Sequence, residues 1–186
     1  VRPIGAGAYE LVVGERRFRA CQKLQLARIP AVIKELSNQQ VMEIALIENI
    51  QREDLNPVEE ANAYRRLMDE FKLTQEQVAQ RVAKSRPLVA NMVRLLNLPA
   101  PVLEKVALGQ LTVGQVRPLL ALGRAEDQVK LASRIVEQKL TARDAEVLTR
   151  QMLEEKVGQL HAKKAKREEK MLPELQPDLL VFSAIL

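Results

Sequence analysis

Two short stretches carry residue types suited to chemistry on an anion. The first is "GERR", Gly14 to Arg17, which follows the apolar run "YELVV". A glycine that ends a strand and opens a helix leaves unpaired N–H groups at the helix's positive end. The two arginines add forked donors, and together these make the outline of a phosphate site. Glu15 suits a phosphate cradle only if it orients an arginine or acts on a metal or a water. A surface turn with salt bridges along the helix is the alternative. The second stretch is "ENIQR", where Glu48 and Asn49 stand side by side as an apolar helical face ends and Arg52 follows. A carboxylate beside an amide offers the oxygen ligands Mg²⁺ takes when it bridges phosphates, and Arg52 can reach a phosphate. A solvated helix end is the alternative here. Residue types and spacing alone specify an anion and leave its identity open.

A third stretch, "LTQEQVAQRVAKSRPLVANMVRLLNLP", has the spacing of a helix-turn-helix. Val78 and Ala79 fall on the inner face of a first helix, and the small Ala79 lets a second helix cross close by. A short turn at Ala83–Lys84 follows. Ser85 is a natural N-cap for the second helix, Pro87 is tolerated in its first turn, and Val89 and Met92 point back to the first helix. In this motif the second helix enters the major groove and its N-terminal residues meet base edges. Arg86 stands there and can fork onto guanine N7 and O6, worth about 1–3 kcal/mol of discrimination. Arg81 and Lys84 suit phosphates, contacts that position without specifying. An ordinary helical hairpin is the alternative. Ala83 occupies a turn position that favours glycine, so the turn must take a conformation alanine accepts.

The elements that must position these residues are legible in outline. Residues 9–13 and 29–33 are short, β-branched and apolar, and predict strands. Between them, "RRFRACQKLQLA" predicts a helix with Phe18, Cys21 and Leu24 near one face and Leu26 at its margin. From Ser37 onward the pattern is helical, with Ile44, Ile47 and Ile50 spaced by three. Helix starts are marked by Asn56 with Pro57 and Glu59, Thr74 with Gln77, Thr112 with Gln115, and Thr141 with Asp144. Pro99 and Pro101 are expected to close the helix ending near Leu96–Leu98. Residues 154–170 are charge-rich and read as a frayed helix or linker. The segment 172–186 is short and apolar, with two prolines, and takes no assignment.

Composition narrows the classes. The chain has 186 residues, 47% of them hydrophobic and 28% charged, enough for one large domain or two small ones. Aromatic residues make up 3% with no Trp, which argues against stacking platforms for single strands. A lone Cys21 and a single His leave no material for a disulfide, a multi-cysteine zinc site or a Ser-His-Asp triad. No run reaches the ~18 apolar residues of a membrane span, and no signal peptide is visible, so a reducing cytoplasm is expected. Net charge is +4 over residues 1–40, −4 over 41–72, +5 over 73–150 and zero over 151–186. A basic block on helices points to nucleic acid. The chain opens with Val1 rather than Met, within what reads as a folded segment, and is expected to be a fragment.

The motifs "ELVVGERRFRA", "IPAVIKELS", "ALIENIQREDLNPVEEANAYRRLMDEF", "LTQEQVAQRVAKSRPLVANMVRLLNLP" and "LTVGQVRPLLAL" together resemble, in order and spacing, the ParB family of bacterial chromosome-partition proteins. The resemblance covers roughly residues 9–150. It implies an α+β fold: a small strand-helix-strand nucleotide-binding domain of ParB/sulfiredoxin-like type over 1–55, an all-α helix-turn-helix domain over 56–150, and a charged tail over 151–186. It implies CTP and Mg²⁺ as cofactors, double-stranded parS DNA as partner, and CTP-dependent closure of a homodimer into a sliding clamp that hydrolyses CTP slowly. A ParA-type partition ATPase and an SMC condensin are the further partners it implies, with a nucleoid-associated location and no membrane.

Position by position, the resemblance gives Gly14, Glu15, Arg16, Arg17 and Arg19 to the nucleotide's phosphates. It gives Glu48, Asn49 and Arg52 to the triphosphate, with Glu48 and Asn49 on the metal, and makes Glu48 the first candidate for hydrolysis and Glu15 the second. Arg81, Lys84, Ser85, Arg86, Pro87, Asn91, Arg94, Gly114 and Arg117 are the DNA candidates. The family's first strand would precede Val1, and its C-terminal dimerisation domain is not recognisable in 171–186. Gln115 replaces the family's usual histidine and fits a capping box. Arg86 with Gly114 suits the parS-reading branch better than the nucleoid-occlusion paralogues. The rival readings are a nucleotide-independent helix-turn-helix transcription regulator and an enzyme on the same N-terminal fold, such as a small-molecule kinase or a sulfiredoxin-like reductase. The last of these would place a catalytic cysteine where this chain has Glu15.

Overall fold

In the computed structural model, which describes residues 1–52 and 54–171, the chain opens with a hairpin. Strands β1 (Arg2–Gly5) and β2 (Ala8–Glu10) pair antiparallel, with Arg2 opposite Glu10 and Pro3 opposite Tyr9. The "GAG" turn between them runs through positive φ at Gly5, Ala6 and Gly7. Arg2 anchors the hairpin: its Nε meets Glu10 at 2.5 Å, and its Nη1 donates to the Asn38 side chain at 2.7 Å and to the Leu36 carbonyl at 3.2 Å.

The strands differ from expectation. The second strand covers Ala8–Glu10, overlapping the expected 9–13 only at Tyr9 and Glu10, and residues 11–13 leave the ladder. Residues 29–33 are not a strand. The Val1 amino group donates to the Val32 carbonyl at 2.9 Å and the Lys34 amide to the Val1 carbonyl at 3.0 Å, but Pro30 has no N–H to extend a ladder. Helix α1 (Glu15–Lys23) starts at Gly14 and ends before Leu24, which is exposed, as are Phe18 and Leu26, while Cys21 is partly buried. No residue before Ile50 is buried, as expected for a two-strand hairpin and a short helix, which cannot enclose a core by themselves.

The remaining described elements are helices, and several of their starts carry a side-chain cap. Helix α2 (Asn38–Ile50) follows a Ser37–Gln40 capping box, α3 (Pro57–Phe71) an Asn56–Glu59 box, and α4 (Gln75–Arg81) a Thr74–Gln77 box. In each, the cap side chain satisfies an orphan N–H and the third helical residue reaches back to the cap. Helix α5 (Arg86–Leu95) starts at Ser85. Pro99 and Pro101 open α6 (Ala100–Ala107) instead of merely closing α5, Pro99 as N-cap and Pro101 in the first turn. Then come α7 (Val113–Val116), a 3₁₀ turn at Pro118–Ala121, α8 (Ala125–Glu137) and α9 (Ala142–Met171). The charge-rich 154–170 stretch is therefore a continuation of α9, while 172–186 lies outside the described residues. Among the described residues, no helix is long and apolar enough to cross a membrane.

Two hydrophobic clusters hold the helices. One joins Ile50 of α2 to Tyr64 and Leu67 of α3, Val78 and Ala79 of α4 and Val89 and Met92 of α5, with Leu46 and Ile47 packed against it. The other gathers Leu95 at the end of α5 with Val102, Val116, Leu119, Leu131 and Ile135 from the elements that follow. Helix α2 thus follows the hairpin and α1 in sequence but buries its end among the helix-turn-helix residues.

Candidate functional site

An open polar cleft of 920 Å³ lies where α1 faces the C-terminal end of α2. Arg16 lines it from α1, and Ala45, Glu48, Asn49, Gln51, Arg52 and Asp54 from α2 and the turn beyond. Gln51 caps α2 by donating its N–H to the carbonyls of Ile47 and Glu48. The negative end of the α2 dipole, Glu48 and Asp54 favour a cation at that wall, whereas Arg16 and Arg52 favour an anion. A site of both signs suits a metal–phosphate pair better than either alone. Among the described residues, no three acidic, His or Cys side chains converge as a metal cage. Glu48 and Asn49, which both line the cleft, carry oxygen donors of the kind magnesium takes.

The "GERR" box is divided between two places. Arg16 enters the polar cleft. Gly14 and Arg17 line a second, largely apolar cleft of 690 Å³ with Val13, Phe18, Cys21 and Val32. Gly14 has φ +98°, a left-handed conformation that requires glycine there. Glu15 pairs with Arg19 along α1 at 2.8 Å, both well exposed, and neither lines either cleft. Asp54, absent from the sequence-based candidates, forks onto Arg52 with contacts of 3.1 and 2.9 Å. The Arg52 guanidinium holds its carboxyl below the usual aspartate range. The signal was present in "QRED", where opposite charges stand two apart, but such pairs are common on surfaces.

The helix-turn-helix is formed by α4, the turn and α5. Val78 and Ala79 are buried beneath Val89 and Met92, and the Ser85 hydroxyl accepts the Leu88 N–H at 3.4 Å. α4 ends with the Lys84 N–H on the Ala79 carbonyl and the Ala83 N–H on the Gln80 carbonyl, a Schellman motif. Ala83 occupies its glycine position at φ +54°, so alanine accepts the left-handed conformation itself. Lys84, Arg86, Pro87 and Arg94 are exposed on this unit, with Asn91 half-buried beside them. Arg81 faces elsewhere and meets Glu43 of α2 at 2.5 Å.

Gly114 stands at the other candidate DNA loop, where an added β-carbon would lie 3.6 Å from the Ala142 β-carbon. Arg117 reaches Glu146 of α9 at 3.6 Å. Gln115 completes the Thr112 capping box and donates its amide to the Leu140 carbonyl at 2.7 Å, tying α7 to the loop before α9.

The sequence model of the ParB N-terminal domain matches residues 1–50, and that of the ParB HTH domain residues 53–154. Among curated proteins, the chromosome-partitioning protein ParB of Myxococcus xanthus is 49% identical over 151 residues, 81% of this chain and 51% of the relative. The nucleoid occlusion protein of Listeria monocytogenes is 46% identical over 82% of this chain and 54% of its own length. The chain thus spans about half the length of the curated relatives it matches. Among solved structures, C-terminally truncated ParB from Caulobacter crescentus complexed to the centromeric parS site is similar with a TM-score of 0.74. That similarity holds at 45% identity and covers 81% of this chain and 80% of that one.

Proposed function

The chain belongs to the ParB family, and on that premise we propose that it is a CTP-dependent DNA clamp of chromosome partition. The observation that carries the nucleotide half is the polar cleft, where Arg16 from one motif meets Glu48, Asn49 and Arg52 from the other. In this reading Arg16 and Arg52 hold the triphosphate, Glu48 and Asn49 hold Mg²⁺, and Gly14 and Arg17 take the rest of the nucleotide at the apolar cleft. Bound magnesium would neutralise charge between phosphates. Glu48 is the first candidate to orient the attacking water for hydrolysis, with Glu15 second.

The DNA half is carried by the exposed α5 N-terminus. Arg86 reads a guanine of parS, Lys84 and Arg94 take phosphates, and Ser85, Pro87 and Asn91 line the contact, with Gly114 and Arg117 at the second loop. Helix α2, with Glu48 near one end and Ile50 in the helix-turn-helix core, would link the two halves. Homodimerisation on CTP and DNA, a ParA-type ATPase, an SMC condensin and a nucleoid location complete the proposal for the intact protein.

The test is binding of CTP against ATP, GTP and UTP, with and without a parS duplex. CTP-selective binding strengthened by parS is expected. Binding of none would favour a nucleotide-independent transcription regulator, and equal binding of the four would overturn the CTP selectivity of the proposal. A preference for a nucleoid-occlusion site over parS would reassign the branch.

A further inference from the structure

Arg52 and Asp54 form the one side-chain ion pair described within the polar cleft's lining. The geometry is a two-point fork: Nε donates to one carboxylate oxygen at 3.1 Å and Nη2 to the other at 2.9 Å. That is also how a guanidinium grips a phosphate. We propose that Asp54 is a built-in stand-in for ligand phosphate, occupying Arg52 until an incoming phosphate displaces it. The inference rests on the nucleotide reading of this cleft.

Three features support the assignment. The two residues are separated by a single position, just past the end of α2, so the chain itself keeps the carboxylate within reach of Arg52. Both side chains are more than half exposed, so the pair is weak and a multiply charged ligand can break it at little cost. Both also line the cavity that Glu48, Asn49 and Arg16 share. An incoming phosphate would inherit the fork, and the released carboxylate would turn to solvent or toward a cation brought with the phosphates. Every ligand that uses Arg52 would bind with its affinity reduced by the fraction of time Asp54 holds it.

The experiment is a cycle of Asp54→Asn, Arg52→Gln and the double variant, titrated with CTP in the presence of magnesium. Thermal melts of each variant check the fold. Asp54→Asn is expected to bind CTP about two- to five-fold tighter, the size set by a weak exposed pair. The gain should vanish in the Arg52→Gln background. Unchanged binding would overturn the inference, and weaker binding would replace it with a cation-ligand role for Asp54. A gain that persists without Arg52 would reduce the effect to general charge repulsion and also overturn it. Failure of every variant, wild type included, to bind CTP would instead overturn the nucleotide reading itself.

Discussion

The guanidinium of Arg81, at the end of α4, meets the carboxylate of Glu43, midway along α2, at 2.5 Å. The contact ties the helix that lines the polar cleft to the first helix of the helix-turn-helix. Glu43 is only 17% exposed and Arg81 37%, so removing one partner leaves the other short of both water and a counter-charge. Glu43→Gln and Arg81→Gln should each destabilise the fold by about 1–2 kcal/mol, between the effects typical of surface and buried pairs. Urea unfolding of both variants and their combination checks this. Strictly additive losses would show that the two side chains do not depend on each other.

If the chain binds parS as proposed, DNA binding should separate the basic residues by role. Arg86→Ala should lower the preference for parS over a scrambled duplex by about 1–3 kcal/mol and leave salt-sensitive, nonspecific binding in place. Lys84→Gln should weaken both duplexes alike and reduce the salt slope by about one. Because Glu43 engages Arg81, Arg81→Gln should change that slope less than Lys84→Gln does. Selectivity retained in Arg86→Ala would place the base reader elsewhere.

Ala83 holds a left-handed backbone with a side chain that disfavours it. Glycine removes the clash between the β-carbon and the following carbonyl but adds freedom to the unfolded chain. Ala83→Gly is therefore expected to stabilise the protein by a net ~0.5–1 kcal/mol. Its DNA affinity should not change, since the turn geometry already exists. Thermal unfolding alongside a parS titration measures both, and a destabilised variant would mean the turn is held by other contacts.

The helix starts were legible because capping is local. Asn56 with Glu59, Thr74 with Gln77 and Thr112 with Gln115 satisfy one another within three residues, and the structure forms each box. Strands were not, because pairing depends on distant partners: Arg2 finds Glu10 across a turn, and Pro30 spoils a segment whose β-branched residues suggested a strand. The two anion motifs could be read as motifs. Their division into Arg16 on one cleft and Arg17 on another could not, since neighbouring helical residues point about 100° apart and only the packing decides which cleft each meets. Glu43 as the partner of Arg81 had no sequence signal at all.

Acid should loosen the start of α9 through one identifiable carboxylate. Asp144 accepts the Thr141 N–H and hydroxyl, both at 2.8 Å. The backbone bond, then the hydroxyl bond, holds its carboxyl below the ordinary value of 3.8. A carboxyl depressed in the folded state contributes stability that is full above its unfolded value and fades as pH falls through the folded one. The melting-temperature gap between wild type and Asp144→Asn should thus be present at neutral pH and shrink as pH drops below about 4. A gap that persists in strong acid would assign the cap to shape rather than charge.

The divided "GERR" box makes Arg16 and Arg17 separable by experiment. Arg16 shares the polar cleft with Glu48 and Asn49, so on the proposed nucleotide reading Arg16→Ala would remove a charge-assisted phosphate contact. That loss is about 1.5–3 kcal/mol, or roughly ten- to hundred-fold in CTP affinity. Arg17 lies beside Gly14 in the apolar cleft, and Arg17→Ala should cost a comparable factor only if the nucleotide spans both places. Neither should alter parS binding without nucleotide, because both stand on α1, away from α5. CTP titrations of the two variants, with parS titrations in parallel, decide among three outcomes. Loss in both variants means one ligand spanning two clefts. Loss in Arg16→Ala alone confines the ligand to the polar cleft and leaves the apolar one to another task. Loss of parS binding together with CTP binding would show that α1 and the helix-turn-helix act as one site and not two.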